Sequence, residues 1–145
     1  MIKIIVLGKL KEDYLTQMVN DYLKRTSKYH KISLIELKDE EDLDVEAKSI
    51  FKHIDNKDFV VTLEIEGKSY DSIEFAKFID NTFINYSTLT FIIGSSTGLH
   101  KSVKDRSNLA LSFSRLTFPH GLFRAVLLEQ IYRAFKINNH ESYHK

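Results

Sequence analysis

The chain has 145 residues, 43% of them hydrophobic, which suits one globular domain spanning 1–145 with its own core. A formal net charge of +1 and the absence of cysteine exclude a strongly basic nucleic-acid coat, an acidic tail, disulfides and cysteine-held zinc. No run approaches the roughly 20 apolar residues of a membrane span, so neither a membrane nor a metal enters the expectation.

The opening MIKIIVLGKL has a short apolar run and no small-residue cleavage site. It reads as a strand over Ile2–Leu7 rather than a signal peptide, and the chain is expected in the cytoplasm. Tyr14, Leu15, Met18, Tyr22 and Leu23 then share one face of a predicted helix. A second strand is predicted over Ile32–Leu37. The acidic stretch Asp39–Asp44 reads as a solvated loop entering a helix, on which Ala47, Ile50, Phe51 and Ile54 follow the i, i+3, i+4, i+7 rule. Phe59–Ile65 is a third strand. Phe75, Phe78, Ile79 and Phe83 make a further helical stripe, preceded by Asp71 and Glu74 at the spacing of a capping pair. Leu89–Ile93 is a fourth strand, and Leu109–Phe113 is apolar enough for a fifth. Short β-branched runs of this kind suit strands buried on both faces. The alternation gives an α/β class with a mostly parallel sheet flanked by helices.

The last predicted helix, roughly Gly121 to Ile137, is apolar nearly all round. One face can pack on the sheet. The other is expected to pair with a second copy, the alternative being a central helix covered by its own chain.

The near-zero charge hides a split. Residues 1–93 carry 13 Lys/Arg against 17 Asp/Glu, whereas residues 94–145 carry 8 against 3 and hold four of the six histidines. The same C-terminal part holds Gly94-Ser95-Ser96-Thr97-Gly98, placed beyond the carboxyl end of a strand, where open α/β sheets bind ligands. Glycine lets a ligand reach backbone amides; the same residues also suit a tight strand–helix turn. The spacing is that of neither a dinucleotide fingerprint nor a P-loop. In Ser114–His120, Leu116 and Phe118 can wall an apolar slot while Ser114 and Thr117 offer amides and hydroxyls; ordinary punctuation before a helix started by Pro119 fits equally well. Glu129 and Arg133, an i, i+4 pair, interrupt the apolar helix, and buried charges need partners or purpose. Arg124 is a candidate for phosphate or a second subunit. In Tyr143-His144-Lys145, a base-stacking ring, a proton-exchanging imidazole and a phosphate-binding cation stand together.

These segments resemble the RlmH family of SPOUT-class methyltransferases. The likeness runs through IKIIVLGKLKEDYL, VTLEIEGK and FIIGSSTGLHKSV, and is densest in ALSFSRLTFPHGLFRAVLLEQIYRAFKI followed by YHK. It implies a SPOUT-type α/β fold with a C-terminal trefoil knot, an exception to the rule against knotted chains. It also implies methylation of N3 of a pseudouridine in 23S ribosomal RNA, with S-adenosylmethionine as donor. Position by position, cofactor contacts are implied at Leu63, Gly94, Phe113, Ser114, Arg115, Leu116, Thr117 and Phe118. Substrate positioning and chemistry are implied at Glu129, Arg133, Tyr143 and His144. His144 or Glu129 is expected to assist loss of the N3 proton, Arg133 to steady the base and Tyr143 to place it.

The likeness further implies a homodimer in which one subunit's tail completes the other's site. Few surplus cations point to the assembled ribosome rather than naked RNA as the partner. Ser95 stands where the family commonly has a second glycine, and its Cβ is expected to narrow the cofactor's approach. That departure motivates an alternative, a non-catalytic ribosome- or RNA-binding paralogue; a structural dimer module whose glycine loop is only a turn is another.

Overall fold

The computed structural model describes all 145 residues. Strands β1 (Ile2–Leu7), β2 (Ile32–Leu37), β3 (Phe59–Ser69), β4 (Leu89–Ile93) and β5 (Leu109–Ser112) alternate with helices α1 (Asp13–Ser27), α2 (Leu43–Phe51), α3 (Ser72–Asn85), α4 (Lys101–Arg106) and α5 (His120–Asn138). All strand pairs are parallel, in the order β2-β1-β4-β3-β5. No helix is long and apolar enough to cross a membrane.

Strand alternation sorts the core into two layers. Ile2, Ile4 and Val6 of β1, with Leu89, Phe91 and Ile93 of β4, face α1, α3 and α5. Ile5, Leu7 and Ile92 point the other way, toward Ala47 and Ile50 of α2 and Val103 of α4. Because both faces are covered, the strands read as continuous apolar runs. The expected capping pair at α3 is formed in full: Asp71 accepts from Glu74 N (2.7 Å) and Glu74 accepts from Asp71 N (3.2 Å).

Two expectations need correction, and one helix is new. Tyr14 does not share the buried face of α1; it is 71% exposed, and Val19 takes the place on the core side. α4 was not read from the sequence, since six residues hold too little periodicity to show a helix. The far side of α5 is not left bare, because α5 lies between α1 and α3. Tyr22 meets Tyr132 (5.9 Å between ring centres), Ser72 Oγ donates to Gln130 (2.8 Å) and Asn138 Nδ2 donates to the Ala76 carbonyl (3.0 Å). Ala125, Leu127, Leu128, Ile131 and Ala134 are thereby buried inside a single chain. The all-round apolarity of α5 is explained by a central helix, so it is no longer an argument for a partner.

Strand β3 runs past the expected Ile65 to Ser69, but not in one register. Leu111 of β5 lies opposite both Leu63 and Lys68, so Glu64–Gly67 loop out of the sheet as an enlarged bulge. Gly67 makes the return possible: a Cβ there would sit 2.7 Å from the Ala110 backbone.

Candidate functional site

Helices α3 and α4 lie on opposite faces of the sheet, so the segments leaving the neighbouring strands β3 and β4 part at their carboxyl ends. A crevice at such a point is where an open α/β sheet holds ligands. Here it is a cleft of about 520 Å³. One wall is the β3 bulge, with Leu63, Glu64, Ile65 and Glu66; another is the turn after β4, with Gly94, Ser95, Ser96 and Gly98. The segment after β5 closes it with Phe113, Ser114, Leu116, Thr117 and Phe118, and α5 adds His120 and Phe123.

Most of the cofactor residues expected from the sequence therefore meet in one place. Arg115 is the exception: it is exposed and does not line the cleft. The segment keeps its shape through local bonds, as Ser114 Oγ accepts from Leu116 N (2.9 Å) and Ser112 Oγ donates to the Ser114 carbonyl (3.1 Å). Glu64, Glu66, Lys104 and Phe123 went unnoticed in the sequence. Glu64 accepts from Thr62 Oγ1 (2.7 Å) and pairs with Lys104 (3.5 Å), which fixes its carboxylate at the cleft wall.

The turn after β4 is both a tight turn and a cleft wall. Gly98 N donates to the Ser95 carbonyl (2.9 Å), and Gly98 has a φ of +88°, where a side chain is strained. A Cβ on Gly94 would lie 2.8 Å from the Gly98 carbonyl. Ser95, expected to narrow the cleft through its Cβ, is part of the cleft wall. Its residue surface is 9% exposed, and its hydroxyl is engaged with Glu46 (3.2 Å) and Thr97 (2.9 Å) rather than free in the cleft.

A second cluster forms further along α5. Arg133 Nε donates to Glu129 Oε1 (3.1 Å), Nη2 donates to the same oxygen, and Gln130 Nε2 donates to Oε2 (3.1 Å). Tyr143 Oη donates to Glu129 Oε1 (3.0 Å), and its ring lies 4.8 Å from the Arg133 guanidinium carbon. Arg133 Nη1 meets His144 Nδ1 (3.1 Å). Guanidinium nitrogens only donate, so Nδ1 accepts and the ring proton sits on Nε2. Burial, then Tyr22 and Glu129, push the Tyr143 phenol well above its usual range, which keeps it a donor.

The tail is not frayed. Glu141 accepts from Tyr29 Oη (3.0 Å) and Lys136 Nζ (2.9 Å), and Tyr143 Oη lies 3.4 Å from Tyr22 Oη. Arg124, considered for phosphate or a partner, is instead 1% exposed and bound to Glu36 (2.8 Å) and the Gly8 carbonyl (3.2 Å). His120 likewise has a structural bond, from Nε2 to the Leu7 carbonyl.

The four expected catalytic residues thus come together, but none of them lines the cleft. Phe123 and Arg133 are ten positions apart on one helix, about 15 Å along its axis.

A family model described as "Predicted SPOUT methyltransferase" matches residues 1–144. The chain belongs to that family. Two curated relatives, both named ribosomal RNA large subunit methyltransferase H, come from Streptococcus pneumoniae strains CGSP14 and JJA. Each is 48% identical, with 99% of this chain and 99% of the relative covered. Among solved structures, a probable methylase family protein from Haemophilus influenzae Rd KW20 superposes with a TM-score of 0.59 at 11% identity, covering 99% of this chain and 70% of that one. The latter shows the shared fold. The cleft and the α5 cluster stand apart in this chain.

Proposed function

We propose that this chain is an S-adenosylmethionine-dependent methyltransferase acting on N3 of a pseudouridine in 23S ribosomal RNA, within the large ribosomal subunit. The observation that carries the reading is the meeting of Leu63, Gly94 and the Phe113–Phe118 segment in one cleft at the strand ends. The likeness to methyltransferase H relatives over 99% of the chain supplies the substrate class.

The cleft's residues fit the donor. Leu63, Leu111, Leu116, Phe118 and Phe123 give apolar walls for a nucleoside, while Glu64 and Glu66 place carboxylates beside a cationic ligand. When bound, the donor supplies an electrophilic methyl group on a sulfonium. What the chain adds is alignment of acceptor with donor and support for charge on the base. Arg133, oriented by Glu129, supplies the cation for a base that has lost its N3 proton. Tyr143 offers an edge-and-hydroxyl surface for placing the base. Glu129 already accepts from Arg133, Tyr143 and Gln130, so its lone pairs are engaged with its own neighbours. His144 is the better proton acceptor once Arg133 turns to the base and frees Nδ1.

The reading includes a homodimer. Its support is no longer the apolar girth of α5 but the split site: cleft and cluster lie apart within one chain, and a second copy brings one subunit's tail to the other's cleft. Leu122 and Val126, partly exposed on α5 between the two groupings, offer apolar contact for that copy. The C-terminal knot belongs to the same reading. The path that supports it leaves β5 at the sheet edge and returns across the strand ends to seat His120 on the Leu7 carbonyl. Action in the cytoplasm, on assembled ribosomes, completes it.

Incubating ribosomes with the protein and methyl-labelled S-adenosylmethionine tests the function: label should enter 23S RNA, and its absence would refute the proposal. The non-catalytic alternative, motivated by Ser95, predicts no label in that experiment.

A further inference from the structure

The side chain that distinguishes this glycine turn from a more glycine-rich one is attached to something. Ser95 Oγ donates to Glu46 Oε1 (3.2 Å), and Thr97 Oγ1 lies 2.9 Å from Ser95 Oγ, completing a relay from the turn into α2. Glu46 is 2% exposed, a position carboxylates rarely occupy without a partner. Its other oxygen accepts from Glu40 N (2.8 Å), which holds the carboxylate still. Two residues earlier on the same helix, Asp44 accepts from His100 Nε2 (2.7 Å), while His100 Nδ1 accepts from Ser102 N (3.1 Å) and so fixes the tautomer. The turn is thus tied to α2 at both of its ends, at Ser95 and at His100.

We propose that Glu46 and Ser95 are positioning residues, which hold the Gly94–Leu99 turn in the shape that the methyl donor requires, with α2 as its anchor. The proposal rests on the reading of the cleft as the donor's site. The turn is folded so closely that the Gly98 carbonyl lies within 2.8 Å of where a Gly94 Cβ would be. Small displacements therefore move backbone that lines the cleft. A glycine at position 95 would leave the turn held at that end by backbone alone, and would leave Glu46 buried with one bond fewer. The serine is a compensated feature rather than an obstruction.

The test is calorimetry with S-adenosylmethionine, beside steady-state methyl transfer to ribosomes. The proteins are wild type, Ser95→Ala, Glu46→Gln, Glu46→Ala and the double Ser95→Ala/Glu46→Ala variant. Ser95→Ala should weaken donor binding about fivefold, the net worth of one hydrogen bond, and raise KM for the donor with kcat retained at saturation. Glu46→Gln keeps one oxygen, which can accept from Ser95 or from Glu40 N but not from both, so its donor affinity should fall between wild type and Glu46→Ala. The double variant should bind no more weakly than Glu46→Ala alone, because both changes break one link. Wild-type affinity in Ser95→Ala would overturn the proposal, as would effects that simply add in the double variant. Should Glu46→Ala fail to fold, Ser95→Ala and Glu46→Gln decide between them. A wild-type protein that binds no donor would instead overturn the reading of the cleft.

Discussion

Tyr143 Oη donates to Glu129 Oε1 at 3.0 Å although 14 positions separate the two residues. The helix end makes this possible. Glu141 N bonds back to the Lys136 carbonyl (2.9 Å) and His140 N to the Ile137 carbonyl (3.1 Å), a paired closure that reverses the chain after α5. The tail then runs back along the helix it has just left, and Tyr143 and His144 reach Glu129 and Arg133.

The reversal needs a left-handed residue, and His140 holds that place with a φ of 57°. Glycine adopts it without a Cβ penalty. His140→Gly should raise stability by up to about 1 kcal/mol. His140→Val should lower it by about 1–2 kcal/mol, since a β-branched residue is strained there. Urea denaturation of both variants checks the pair.

Glu36→Ala should destabilise the fold by about 1–3 kcal/mol, because it takes the carboxylate from a buried guanidinium although Glu36 itself is partly in water. Arg124 is 1% exposed and would keep only the Gly8 carbonyl. Burial already pulls the Arg124 pKa down, with Glu36 opposing, so the loss of Glu36 removes the main compensation. Chemical denaturation measures it, and a change below about 1 kcal/mol would mean that water replaces the carboxylate.

Burial, with Asp39 adding to it, raises Glu46 above the ordinary carboxylate range. The folded protein then binds that proton more tightly than the unfolded chain. Stability from this group is full below the unfolded pKa of about 4.3 and is lost as pH rises through the higher folded value. Glu46→Gln stays neutral throughout. Its stability relative to wild type should therefore be greatest near pH 8 and shrink as pH falls toward 4, as read from denaturation across pH. A difference independent of pH would contradict the assignment.

Gly67→Ala should disturb the cleft from outside it. The new Cβ would lie 2.7 Å from the Ala110 backbone, so the bulge carrying Glu64–Glu66 must shift. A stability loss of about 1–3 kcal/mol is expected from such overpacking, together with weaker donor binding. Thermal unfolding and calorimetry on one preparation check both effects.

The sheet was legible because its strands are short apolar, β-branched runs, those of β1 and β4 buried on both faces. Ile2–Leu7, Ile32–Leu37 and Leu89–Ile93 have the expected bounds. Register was not legible. Nothing in VTLEIEGK signals that Leu63 and Lys68 oppose the same Leu111, so Glu64 and Glu66 were missed as cleft residues. The apolar circumference of α5 could not tell a helix flanked by α1 and α3 from one awaiting a partner, since both bury the same side chains. The anchoring of Ser95 was not legible, because it depends on Glu46, 49 positions away. A chain end is ordinarily loose; here the bonds of Glu141 and Tyr143 to residues far away in sequence tie it down.

The central claim is methyl transfer to a ribosomal pseudouridine, and nucleoside mass spectrometry of 23S RNA tests it most directly. Ribosomes bearing pseudouridine would be incubated with S-adenosylmethionine and either wild type or His144→Ala, with naked 23S RNA in parallel. One added methyl group on N3 of a pseudouridine is expected with wild type on ribosomes, far less with His144→Ala, and little on naked RNA. Unmethylated 23S RNA from ribosomes treated with the wild-type protein would contradict the account.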